Sequence, residues 1–145
     1  MLAKNRRALH EFEILDRFEA GLVLQGSEVK SIRDGKASLA EAFAQFTGSE
    51  LWLRSAHIAE YPMAHQRNHD PLRPRKLLLH RRELDRLADA VAKGGLTVVP
   101  LALYLKDGRI KLEIGLARGK KGVDKRQSIK ERDQKREMAR AIRER

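Results

Sequence analysis

The 145-residue chain holds 31 Lys/Arg against 20 Asp/Glu, a formal net charge of +11 and a pI near 10.3, with no cysteine. That length allows one domain plus an appendage, and the missing thiols exclude disulfides and thiolate zinc sites, which fits a reducing compartment. A cation excess of this size points to an anionic partner, RNA, DNA or an acidic membrane, while aromatics at only 5% argue against a base-stacking platform. The N-terminal MLAKNRRALHEFEIL has no apolar core and no run of about 18 apolar residues occurs, so a cytoplasmic protein that neither spans a membrane nor is secreted is expected.

In chain order, residues 1–8 read as a short basic arm with Lys4, Arg6 and Arg7. Leu9 to Asp16 alternates apolar and polar and predicts a half-buried strand. Phe18 to Gln25 predicts a second strand with a bulge or bend at Gly21. Ser27 to Arg33 predicts a short helix capped by Ser27 and ended by Gly35. Ala37–Phe46 and Leu51–Ile58 read as two strands joined by the turn Thr47-Gly48-Ser49-Glu50. Residues 60–76, with three prolines and little to bury, read as a long loop. After Leu77-Leu78-Leu79, an amphipathic helix is predicted from about His80 to Lys93, with Leu84, Leu87, Ala88 and Val91 on one face and Gly94-Gly95 as its stop. Leu96–Lys106 and Arg109–Arg118 form a predicted hairpin about Asp107-Gly108, a strong two-residue turn signal, and Pro100 must lie at a bulge or an edge. About six short strands, two helices and no βαβ rhythm imply a mainly β fold, a small antiparallel barrel of the oligonucleotide-binding type, over residues 1–117.

Residues 118–145 differ in kind. They carry 12 Lys/Arg against 5 Asp/Glu, and their large apolar residues are Val123, Ile129, Met138 and Ile142. So polar a segment buries too little surface to offset its ordering entropy. Yet Lys, Arg, Glu, Gln and Ala favour helix, and Asp124 with Gln127 resembles a capping box. A tail that is disordered when free and helical on a polyanion is expected. A plain solvated tail is the other reading.

Catalytic signatures are missing: no metalloprotease HExxH, no GxSxG, no phosphate-binding loop and no dinucleotide fingerprint. His65 and His69 at i,i+4 beside Asp70 have a spacing open to metal binding, but without cysteine and on a proline-bounded loop they read as plain surface residues, so neither a metal nor a cofactor is expected. The basic residues carry more. Arg67, Arg73, Arg75 and Lys76 crowd one loop, and Lys106, Arg109 and Lys111 sit on the last hairpin; with the basic tail they suggest a phosphate-contacting surface. Composition does not choose RNA over DNA.

Ordered motifs are more specific. Asn5-Arg6-Arg7-Ala8 leads to His10-Glu11. FEAG at 18–21, LQGSEVKS at 24–31 and RDGKA at 33–37 follow. Then come DPLRPRKLLLH at 70–80, REL at 82–84, GLTVVP at 95–100, GKK at 119–121 and DKR at 124–126. The chain resembles the SsrA-binding protein (small protein B) family over nearly its whole length. That resemblance implies a non-enzymatic, monomeric RNA-binding barrel that needs no membrane. It would bind the tRNA-like part of transfer-messenger RNA and deliver it to ribosomes stalled on messages without a stop codon. By position it implies RNA-binding roles for Asn5, Glu19, Leu78 and Lys111. It also implies a tail that enters the decoding centre and the empty mRNA channel, where Lys120, Lys121, Asp124, Lys125, Arg126, Lys130 and Arg132 meet small-subunit RNA. One position departs: Val123 stands where the family usually has a stacking His or Tyr before DKR. A barrel can read folded RNA by shape without aromatic stacking. A tail that orders only within an RNA-walled channel would sense whether message is present.

Overall fold

The structure, a computed structural model, describes residues 1–120. The expectations for Lys121, Asp124, Lys125, Arg126, Lys130, Arg132 and the helical tail lie outside the described residues.

Asp107 and Gly108 both take positive φ, 52° and 78°, the geometry that lets a two-residue turn follow the twist of its strands. They join β8 (Thr97–Lys106) to β9 (Arg109–Gly119). The pairing runs from Lys106↔Arg109 back to Thr97↔Ala117 and slips between Pro100 and Ala102. The bulge therefore falls beside the proline, which has no N–H to give the ladder. The other edge of β9 pairs with β2 (Phe12–Leu22), from Phe12↔Gly119 to Gly21↔Lys111.

Here the sequence reading is corrected. One strand, β2, replaces the two expected over Leu9–Asp16 and Phe18–Gln25, and its irregularity lies between Ile14 and Asp16 rather than at Gly21. Leu9 and His10 belong instead to α1 (Arg6–Glu11). The supposed basic arm is built into the fold: β1 (Ala3–Lys4) pairs with β8, and Asn5 caps α1 by accepting the Ala8 N–H at 3.1 Å.

α2 (Gly26–Arg33) ends at Gly35, whose φ of 77° suits a glycine. Its start is not held by Ser27, as expected. Glu28 accepts the Gln25 N–H at 2.8 Å, and the buried Ser27 hydroxyl faces His69 Nδ1 at 2.8 Å. The strand expected over 37–46 is interrupted by a turn, leaving β3 (Ala37–Ser38) and β4 (Phe43–Thr47). Its partner breaks at Ser55, φ 61°, into β5 (Glu50–Arg54) and β6 (His57–Ile58). The hairpin of β4 and β5 turns at Gly48, as expected, while β3 and β6 form a small second sheet.

The span 60–76 is the largest departure. It contains a 3-10 segment, Pro62–Arg67, and the start of β7 (Arg75–Leu78), and it buries His69 and Arg75. α3 (Arg81–Ala92) turns Leu84 and Leu87 inward. Among the described residues there are nine strands and three α-helices, against about six and two expected. The main sheet is antiparallel with the order β1-β8-β9-β2-β7-β5-β4. β4 returns to pack against β8, so the sheet curls into the expected barrel. Ala20, Ile32, Leu51, Leu77, Leu87, Leu112 and Ile114 are buried in its centre. A smaller cluster of Ala8, Val99, Leu101 and Ala117 seats α1.

Candidate nucleic-acid interface

Strand periodicity sorts the side chains of the barrel wall. On β2, Phe18 and Ala20 point inward and Glu19 outward; on β9, Ile110, Leu112 and Ile114 are buried, which turns Lys111 and Glu113 out. On β7, Leu77 is buried and Leu78 is 48% exposed. Register then aligns Tyr104 opposite Lys111, Lys111 opposite Gly21, and Gly21 opposite Leu78. One outward row therefore crosses four strands. At its middle Gly21 carries no side chain; a Cβ there would lie 3.5 Å from Leu78 Cβ and 3.8 Å from Lys111 Nζ. The glycine leaves a shallow seat between an apolar and a cationic wall.

Glu19 stands beside this seat. Tyr104 Oη donates to its Oε2 at 2.6 Å and Lys106 Nζ to its Oε1 at 3.3 Å. The Tyr104 hydrogen bond, with Lys106 and the charge of Lys111, holds the Glu19 carboxyl below its usual range. Burial and the Glu19 carboxylate push the Tyr104 phenol up, so it remains the donor. Three of the expected RNA-binding residues, Glu19, Leu78 and Lys111, are thus brought together.

Asn5 is not with them. It is 4% exposed, and every polar group on it except its carbonyl is spent near the bulge of β8: Nδ2 donates to the Pro100 carbonyl at 2.8 Å, Oδ1 caps α1, and its N–H donates to the Leu101 carbonyl at 2.7 Å. Lys120 lies where β9 ends, its N–H donating to the Glu11 carbonyl at 3.0 Å.

The basic loop read as a phosphate surface is partly a buried ion-pair network. Arg75 is fully buried; its Nε donates to Glu28 Oε2 at 2.7 Å and its Nη1 to the Ala56 carbonyl at 2.7 Å. Arg73 also donates to Glu28 through Nε and Nη2, and Lys76 pairs with Glu50 at 3.0 Å. Burial alone would raise the Glu28 pKa, but the bonds from Arg73, the Gln25 N–H and Arg75 outweigh it and the carboxyl lies below its ordinary value. Nor is His69 placed as a metal ligand. Its Nε2 faces the Ile58 carbonyl at 2.8 Å and its Nδ1 the Ser27 hydroxyl; a carbonyl can only accept, so Nε2 carries a proton. Among the described residues no three His, Cys, Asp or Glu side chains gather as a metal site, and no helix is long and apolar enough to cross a membrane.

Sequence reasoning missed Tyr104 and the seat at Gly21. The signal was available: a two-residue turn at Asp107-Gly108 fixes the hairpin register and puts position 104 opposite 111.

Fold and face define a small antiparallel β-barrel binding protein. The family profile described as SmpB protein matches residues 2–144. Similar proteins include the SsrA-binding protein of Parafrankia sp. (strain EAN1pec), 56% identical over 142 residues, covering 98% of this chain and 90% of that one. The SsrA-binding protein of Thermobifida fusca (strain YX) is 56% identical over 144 residues, covering 99% and 90%. A solved chain described as "tmRNA-SmpB: a journey to the center of the bacterial ribosome" superposes with a TM-score of 0.68 at 50% identity, over 82% of this chain and 84% of that one. The chain belongs to the SmpB protein family.

Proposed function

We propose that this protein binds the tRNA-like part of transfer-messenger RNA and delivers it to stalled ribosomes, so that the nascent peptide is tagged and the ribosome released. The observation that carries the reading is the convergence of Glu19, Leu78 and Lys111 about Gly21 on one outward sheet face. A bare glycine between an aliphatic and an ammonium group suits a nucleotide: base against Leu78, phosphate on Lys111. Asn5 contributes indirectly, by tying α1 to β8. The protein acts as an RNA carrier in the cytoplasm, as a monomer and without a catalytic step of its own.

The labour divides along the chain. The barrel, residues 1–117, grips the RNA. Residues 118–145 engage small-subunit RNA at the decoding centre and the mRNA channel, with Lys120, Lys121, Asp124, Lys125, Arg126, Lys130 and Arg132 as contacts. Truncation after Gly119 is the test. Binding to isolated transfer-messenger RNA is expected to stay within about threefold of the full chain, because Glu19, Leu78 and Lys111 all precede the cut. Peptide tagging on stalled ribosomes is expected to vanish. Loss of RNA binding on truncation refutes the division, and failure of the full chain to prefer this RNA over a size-matched control refutes the function.

A further inference from the structure

The curled sheet closes without a ladder. β4 pairs with β5, and β8 with β1 and β9; among the described residues no strand pairing joins β4 to β8 where they meet. A cleft of about 250 Å³ opens along this seam, beside α1. Its walls include the apolar Ala8, Phe12, Phe43 and Val99, and its rim carries Arg7, Glu11 and Glu41. Val99 is buried, but Phe43 is 43% exposed, so one aromatic wall stands uncovered. Arg7 spans the rim and pairs at 3.2 Å with both Glu11 and Glu41. All three side chains are exposed, and ion pairs of this kind exchange partners at little cost.

The chain leaves the barrel at this cleft. β9 ends at Gly119, where a Cβ would lie 4.0 Å from the Phe12 ring, and the Lys120 N–H donates to the Glu11 carbonyl at 3.0 Å. Phe12 and Glu11 both line the cleft. Arg7 lies about one helical turn back from Glu11 on the same side of α1. Three extended residues cover about 10 Å, so residues 121–123 suffice to pass from Lys120 along that side of the helix. The segment reads Lys121-Gly122-Val123-Asp124-Lys125-Arg126. Val123 is its one large apolar residue, and its acid and bases complement the rim: a carboxylate for Arg7, ammonium groups for Glu11 and Glu41. A tether this short gives an effective concentration of about millimolar, so contacts too weak to hold a separate peptide can hold this one.

We propose that residues 121–126 fold back onto the seam of the free protein, with Val123 against Phe12, Phe43 and Val99, Asp124 at Arg7 and Lys125 at Glu41. The seam is then an internal latch, which small-subunit RNA must displace before it meets these basic residues. The competition rests on the role proposed for the tail above; the docking does not.

NMR of the full-length protein without RNA tests the docking. Nuclear Overhauser effects are expected between the Val123 methyls and the Phe43 ring, and amide exchange over 121–126 should be slowed about fivefold relative to an unstructured peptide. Val123→Ser is expected to move the Phe43 ring resonances to those of the chain truncated after Gly119. Phe43→Ser is expected to reduce the protection to below about twofold. Unchanged thermal melting of both variants excludes a damaged barrel as the cause. The docking is overturned if the wild type and the truncated chain share the same Phe43 resonances, or if Val123→Ser leaves the protection intact. It is also overturned if the signals strengthen with protein concentration, which would make a second copy's tail the occupant. For the competition, Phe43→Ser should bind isolated small ribosomal subunits about fivefold more tightly, the factor by which the latch reduces the free tail. A gain under about twofold overturns it. If the wild type does not bind the subunits while the Val123 contacts are present, the proposed function falls and the docking stands.

Discussion

Glu28→Gln removes the charge partner of Arg75, and the structure sets the size of the effect. Both side chains are fully buried. Glu28 receives Arg75 Nε at 2.7 Å, two nitrogens of Arg73 and the Gln25 N–H at 2.8 Å. The amide can accept through one atom only, and it leaves a buried guanidinium whose remaining partners are the carbonyls of Ala56, Asp70 and Pro71. Breaking a buried pair from one side costs about 3–5 kcal/mol. For a fold of this size, with an unfolding entropy of about 0.25 kcal/mol/K, the midpoint of thermal unfolding should drop by about 12–20 °C. Differential scanning calorimetry reads the shift directly. Glu28→Gln with Arg75→Met should recover much of the loss, because the desolvated charge is then gone as well. The acid limb is a second readout. The folded-state pKa of Glu28 is depressed, so its contribution is complete above the ordinary value of 4.5 and is lost as pH falls through the folded-state value. Glu28→Gln should flatten that part of the stability–pH curve. A loss under about 1 kcal/mol, the scale of an exposed surface pair, or a double variant less stable than Glu28→Gln, would refute the reasoning.

Asn5→Ala should destabilise by about 2–3 kcal/mol in urea unfolding, from the lost cap of α1 and the Pro100 carbonyl left without its donor. Well below its melting temperature, the folded variant should bind RNA within about twofold of wild type, since the side chain is buried. Lys111→Ala should leave unfolding nearly unchanged and lower the slope of log affinity against log salt by about 0.7–0.9, one phosphate contact; filter binding across a salt series measures it.

Hairpins and helices with strong local chemistry were legible from the chain. Asp107-Gly108 imposes its turn because both residues tolerate positive φ, and α3 shows its face through Leu84 and Leu87. The ordered motifs pointed to the family because they combine many such local demands. Less legible were elements whose alternatives differ little in local energy. Leu9 and His10 satisfy a strand pattern and a helix equally, and Asn5, which caps the helix through the Ala8 N–H, is itself held by the Pro100 carbonyl of β8, 95 residues away. Likewise nothing local in Arg75 distinguishes a phosphate ligand from an internal counterion.

The sequence alone therefore determined the class of partner, through net charge, and the mainly antiparallel β class, through alternation and turn residues. These are sums over the chain or contacts between neighbours, and they survive without knowing what packs on what. Only the tertiary structure decided which charges are buried and which stand on the outer face. Arg73 and Arg75 were withdrawn by Glu28, 45 and 47 residues away, while Glu19, Leu78 and Lys111 were gathered from three strands. Burial and cross-strand register are properties of the closed sheet, and no short stretch of chain carries them.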